Sequence, residues 1–133
     1  YLDYNATAPL LVSVKTRMME LMHTPLNPSA VHKYGQHARG VIQAARHALA
    51  NYIQADAEDI IFTSGGTEAN NLALQGVPWD TVFISAVEHA SLYRAHPKAH
   101  TLPVDQNGIL NLNILESTLK NANGKLNLIS VLW

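Results

Sequence analysis

After Pro9, apolar residues fall at Leu11, Val14, Met18, Leu21 and Met22. Spacings of three and four predict a helix over about residues 10–22. Residues 24–34 carry Pro25, Asn27, Pro28 and Ser29 and read as an irregular loop. A second stripe (Ala38, Val41, Ile42, Ala45, Leu49, Tyr52, Ile53) predicts a helix over 35–53, with Gln36, Arg39, Gln43, Arg46 and His47 on its other face. From residue 59 the period changes. Short apolar runs at 59–63 and 81–85 read as strands, and 68–75, 90–95 and 112–120 as helices. Residues 101–104 form an extended piece in which Pro103 argues for an edge or strand end. Gln106-Asn107-Gly108 reads as a turn, and a last strand over 126–133 follows Asn123-Gly124. Alternating strands and helices predict an α/β fold with a mainly parallel sheet.

The chain has 133 residues, enough for one ordinary domain, and a formal net charge of −1. No stretch gathers Lys and Arg on one face, which argues against a nucleic-acid partner. The charged share is 14%, against about 25% in ordinary globular proteins. So low a share suggests that a partner chain, further sequence or a ligand covers part of the surface. No apolar run approaches the ~18 residues of a membrane span. Tyr1-Leu2-Asp3-Tyr4 lacks the basic start and apolar stretch of a secretory leader, and the chain has no cysteine. A reducing compartment is therefore allowed, and a cytoplasmic protein is expected. The chain opens at Tyr1 without a Met, and its last apolar run stops at Trp133. Both features lead us to expect a piece of a longer chain.

Three segments carry candidate chemistry. Thr63-Ser64-Gly65-Gly66-Thr67-Glu68-Ala69-Asn70-Asn71 stands where a strand is expected to hand over to a helix. Two glycines allow positive φ and close backbone approach, while a helix start offers N–H groups to an anion. Gly65, Gly66 and Thr67 thus suit a phosphate; an ordinary turn with a Ser or Thr helix cap uses the same residue types. The segment is neither a Walker A loop nor a dinucleotide fingerprint, because both spacings are absent. The second segment is Ser85-Ala86-Val87-Glu88-His89-Ala90-Ser91, past the end of the 81–85 strand. Ligands collect outside the carboxyl ends of such strands, where a His can stack on a flat ring or move a proton. A surface His beside Glu88 is the plain alternative. The third, Asn27 to Gly35 with His32, is a polar loop suited to covering a site or meeting a partner chain. Seven histidines raise a metal reading. His96 and His100 are spaced i and i+4, but Pro97 stands between them and His-Glu-x-x-His is absent, so no metal site is expected.

Together these segments resemble one family. Tyr1 to Pro9, then Asn27-Pro28-Ser29 with His32 and Gly35, then Thr63 to Asn71, then Glu88-His89, are similar in order to the pyridoxal-phosphate-dependent cysteine desulfurases of the class V aminotransferase group. Ile60 to Leu74 is the most specific part. The resemblance implies a fold type I transferase, with residues 1–133 the N-terminal part of its cofactor-binding large domain. Within it, 1–35 would be the N-terminal arm, helix and active-site loop, and 36–133 a portion of the α/β core. It implies that Gly66 and Thr67 hold the phosphate of pyridoxal 5′-phosphate and that His89 stacks on its ring and assists proton transfer. Asn5, Ala6 and Thr7 would line the substrate entrance, and Asn27 and His32 would lie near the active site at a dimer interface.

The implied activity removes sulfur from L-cysteine, leaving L-alanine and an enzyme persulfide. That sulfur would serve iron–sulfur cluster assembly or another acceptor, with a homodimeric enzyme and a sulfur-accepting scaffold protein as partners. In the family the Schiff-base Lys, the acidic pyridinium partner, the sulfur-accepting Cys and the carboxylate-binding Arg come later in the chain. Lys15, Lys33, Lys98, Lys120 and Lys125 do not match the Schiff-base position, so the 133 residues alone are expected to be inactive. Selenocysteine lyase, kynureninase-like and aminotransferase chemistries share the fold. A truncated, non-catalytic partner-binding module and an unrelated phosphate- or nucleotide-binding α/β domain are rivals from other classes.

Overall fold

The computed structural model describes residues 1–122 and 126–132. The expected Asn123-Gly124 turn, Lys125 and Trp133 lie outside the described residues. The chain forms two compact units, Tyr1–Ile61 and the part from Phe62 onward.

The first unit carries helices α1 (Val12–Met22) and α2 (Lys33–Ile53). The break at Pro25 and Pro28 separates them, as proline at these spacings requires. His32 is the N-cap of α2, and its Nδ1 accepts the Gly35 N–H at 3.4 Å. Gly35 is buried where the loop passes: a Cβ there would stand 2.1 Å from the Ala30 carbonyl oxygen. Arg39 reaches back from α2 to the Pro28 carbonyl at 3.1 Å, a second tie on the same loop. Helix α2 ends on Gln54 in the left-handed region (φ 57, ψ 44), and the Ala55 N–H returns to the Ala50 carbonyl at 2.9 Å. A short 3-10 turn, Ala57–Asp59, follows, and the Arg46 guanidinium bonds the Ile60 carbonyl.

One expectation fails here. Residues 59–63 are not a strand. Ile60 has extended dihedrals (φ −87, ψ 119), but no ladder includes this segment among the described residues. Extended backbone becomes a strand only when a neighbour completes its hydrogen bonds. Helix α1 forms as expected, but its apolar stripe is not a core face: α1 has no buried residue, and Val14, Met18 and Met22 are exposed.

The second unit is α/β. Helix α3 (Gly66–Gln75) leads to strand β1 (Thr81–Ser85), then α4 (Ala90–Ala95), β2 (His100–Leu102), α5 (Leu112–Asn121) and β3 (Asn127–Ser130). The sheet order is β2-β1-β3 and both pairings are parallel, with Ile84 opposite Thr101 on one side and Ser130 on the other. Central position explains why the run Thr81-Val82-Phe83-Ile84-Ser85 is buried from Val82 onward. Side chains alternate along it. Val82 and Ile84 form the core with Leu74 of α3 and with Leu92 and Ala95 of α4, while Trp79, Tyr93 and Leu128 pack around them. Phe83 and Ser85 turn to the opposite face, where Thr118 and Leu115 of α5 line the adjoining hollows. Asp80 anchors β3 twice: its N–H donates to the Leu126 carbonyl at 2.8 Å and its Oδ2 accepts the Leu126 N–H at 2.9 Å. Gly108 (φ 80) makes the turn expected at Gln106-Asn107-Gly108, before an Asn111 N-cap on α5 that accepts two N–H groups. No described helix is long and apolar enough to cross a membrane.

Candidate functional site

Helix α3 begins at Gly66 with Gly65 as its N-cap, and no side chain caps it. The first-turn N–H groups, at Gly66, Thr67 and Glu68, have no intrahelical partner and carry the positive end of the helix dipole. The expected positive φ at the two glycines is not found. Gly65 is extended (φ 166, ψ 178) and Gly66 is the first helical residue. The space around both is open: a Cβ on either would meet nothing within 4 Å. Gly65, Gly66, Thr67 and Glu68 are all exposed, so the donors face open space.

The loop before the helix is held by its own side chains. Glu68 Oε2 accepts the Ser64 N–H at 2.6 Å and the Ser64 hydroxyl at 2.5 Å, a variant of the capping box. The Ser64 hydroxyl first, then its backbone N–H, hold the Glu68 carboxyl below the usual carboxylate range, against a smaller opposing effect of desolvation. Thr63 Oγ1 donates to the Gly65 carbonyl at 3.1 Å. The Thr67 hydroxyl makes no hydrogen bond among the described residues and stays available as a donor.

His89 lies four residues past the end of β1, as the N-cap of α4. Its Nδ1 accepts the Ser91 N–H at 3.2 Å and lies 2.8 Å from Ser91 Oγ. Ser91 Oγ is in turn 2.8 Å from Asn70 Nδ2, on α3. The two sequence motifs are thus joined through Asn70, Ser91 and His89. Asn70 lies three residues after Thr67, a rise of about 4.5 Å along the helix. The link therefore ties His89 to a point on α3 about one helical turn past its start. Glu88, the neighbour of His89, is engaged elsewhere: Ser130 Oγ at the end of β3 donates to its Oε1 at 3.2 Å.

Asn70 and Ser91 were not among the expected site residues, although both stand inside the segments that carried the expectation. A polar residue two places into a helix capped by His was the available signal, because N-cap side chains seek the N–H and side chains of the next turn. The hollow of about 650 Å³ lined by Asp80, Phe83, His100 and Thr118 contains none of these residues and opens near the start of β1. Among the described residues, no group of three or more His, Asp or Glu could hold a metal ion.

The remaining expected residues belong to the first unit, and all are exposed. Asn5, Ala6 and Thr7 lie in or beside a turn in which the Ala6 and Thr7 N–H groups both reach the Asp3 carbonyl at 3.2 Å. Asn27 Oδ1 accepts the Ser29 N–H at 3.0 Å, which shapes the proline loop. His32 is occupied as the α2 cap, with the Tyr34 ring edge-on at 6.0 Å.

The family description "Aminotransferase class-V" matches residues 1–131. The chain belongs to the class-V aminotransferase family. Among its relatives is the cysteine desulfurase IscS of Dictyoglomus turgidum, 36% identical over 134 aligned positions that cover 90% of this chain and 34% of that protein. The selenocysteine lyase of Homo sapiens is 47% identical over 78 positions, covering 58% of this chain and 18% of that protein. The solved structure of a NifS-like protein from Rickettsia africae superposes with a TM-score of 0.89 at 36% identity, covering 98% of this chain and 38% of that one. This family member therefore spans about a third of the length of the cysteine desulfurases it matches.

Proposed function

We propose that this chain is the N-terminal portion of a pyridoxal-phosphate-dependent cysteine desulfurase, which removes sulfur from L-cysteine to give L-alanine and an enzyme persulfide. The observation that carries the reading is the 36% identity to cysteine desulfurases over 90% of the chain. The residues present fit the cofactor. An uncapped helix start with open space above two glycines suits a phosphate dianion. When bound, pyridoxal phosphate supplies an electron sink for charge developing at the substrate α-carbon.

In this reading Gly66 and Thr67 anchor the phosphate, by backbone N–H and by hydroxyl. His89 would stack its imidazole on the ring and assist proton transfer. Glu68 and Ser64 keep the loop in its binding shape. Asn5, Ala6, Thr7, Asn27 and His32 serve the substrate entrance and a homodimer contact of a cytoplasmic enzyme that passes sulfur to an acceptor protein. The sulfur-accepting thiol cannot come from these 133 residues, which contain no cysteine. The chain alone is therefore inactive as a desulfurase.

The test is turnover by the enzyme that carries this portion, read as alanine released from L-cysteine with pyridoxal phosphate present. We expect turnover, and a loss of about 10²-fold or more on His89→Ala. No alanine from L-cysteine would overturn the reading. Alanine from L-selenocysteine alone would support the second reading, selenocysteine lyase, which the 47% identity over 78 positions favours.

A further inference from the structure

We propose that Ser91 and Asn70 are positioning residues that hold His89 as its Nε2–H tautomer, so that the outer edge of the ring offers a proton rather than a lone pair. The Ser91 backbone N–H can only donate, and its partner is His89 Nδ1 at 3.2 Å. That nitrogen therefore carries a lone pair, and in the neutral ring the hydrogen sits on Nε2. The Ser91 hydroxyl reinforces the choice. Its oxygen, 2.8 Å from Asn70 Nδ2, accepts from an amide nitrogen that can only donate. The single hydroxyl proton is then free to point at Nδ1, 2.8 Å away. Ser91 is 5% exposed, so water does not compete for its hydroxyl.

Donors thus run in one direction, from Asn70 through Ser91 to His89. His89 is exposed, and Nε2 makes no hydrogen bond among the described residues. The ligand atom that meets it must be an acceptor, such as an anionic oxygen. That this acceptor belongs to pyridoxal phosphate or its substrate rests on the proposed function; the tautomer itself does not.

The test is a multiple-bond ¹⁵N–¹H NMR spectrum of the chain without ligand, at a pH where the ring is neutral. We expect His89 Nδ1 at the unprotonated position and Nε2 at the protonated one. In Ser91→Ala only the longer backbone bond remains, and the Nδ1 signal moves part-way toward the protonated position. In Asn70→Asp the Ser91 hydroxyl turns to the carboxylate and shows Nδ1 a lone pair, so the signal moves further. Ser91→Thr keeps a hydroxyl and restores the wild-type position. Amide spectra identify any variant that does not fold; the wild type and Asn70→Asp, at a half-buried position, then decide. A protonated Nδ1 in the wild type, or one Nδ1 position in every folded protein, would overturn the proposal. Adding pyridoxal phosphate separates the two readings. An Nε2–H signal that does not respond, with the tautomer as expected, contradicts the cofactor reading and leaves the positioning role standing.

Discussion

Glu68 Oε2 accepts both the backbone N–H and the hydroxyl of Ser64, at 2.6 and 2.5 Å, and so closes the loop before α3 onto the first turn of that helix. The two bonds favour the ionised carboxylate and depress its pKa in the folded chain. A depressed carboxyl contributes stability that is present above its unfolded value and is lost as pH falls through the folded one. Urea unfolding of the second unit, followed by Trp79 fluorescence, should therefore weaken on acidification below about pH 4.5. Glu68→Gln should remove part of that dependence. An identical pH profile in the variant would show that the Ser64 contacts do not favour the charged form.

Gly35→Ala tests whether the proline loop is clamped onto α2. The added Cβ would meet the Ala30 carbonyl oxygen at 2.1 Å and its carbon at 2.7 Å. Because the neighbour is backbone, relief requires the loop to move, and a cost of about 1–3 kcal/mol is expected. Amide hydrogen exchange in the first turns of α2 should accelerate accordingly. Unchanged protection would mean that the loop yields freely.

Ile84→Ala tests the core of the second unit. Ile84 is fully buried between α3, α4 and both neighbouring strands. Truncation should destabilise the unit by about 2–5 kcal/mol. The readout is the urea midpoint by Trp79 fluorescence, since Trp79 packs on this core and donates Nε1–H to the Ala73 carbonyl at 2.8 Å. A midpoint close to wild type would contradict the central place given to β1.

Much of the second unit was legible because its local signals are strong. The run 81–85 is rich in β-branched and aromatic residues and is the β1 strand as expected, and α4 spans the expected residues 90–95. Residues 59–63 have a similar composition but find no ladder among the described residues, and composition cannot supply a neighbour. Periodicity placed the helices of the first unit but not their burial. Helical spacing marks an apolar face, not what covers it, and much of the stripe of α2 (Leu49, Tyr52, Ile53) is exposed.

The candidate site was legible as two motifs and illegible as a contact. Gly66, Thr67 and His89 stood out by residue type and by their place at element ends. Asn70 and Ser91, which join them, are 21 positions apart, and only tertiary packing of α3 on α4 brings them together. Of the two uses expected of the glycines, positive φ is not found, while the open space around both leaves room for close backbone approach.

The central claim is that the start of α3 holds the phosphate of pyridoxal phosphate. Its most direct test is an amide NMR titration of the chain with pyridoxal 5′-phosphate and, in parallel, with pyridoxal. The account predicts saturable shifts of the Gly66 and Thr67 amides with the phosphate ester, weaker in Thr67→Ala, and none of comparable size with pyridoxal. Equal responses to the two compounds, or shifts that spare Gly66 and Thr67, would contradict it.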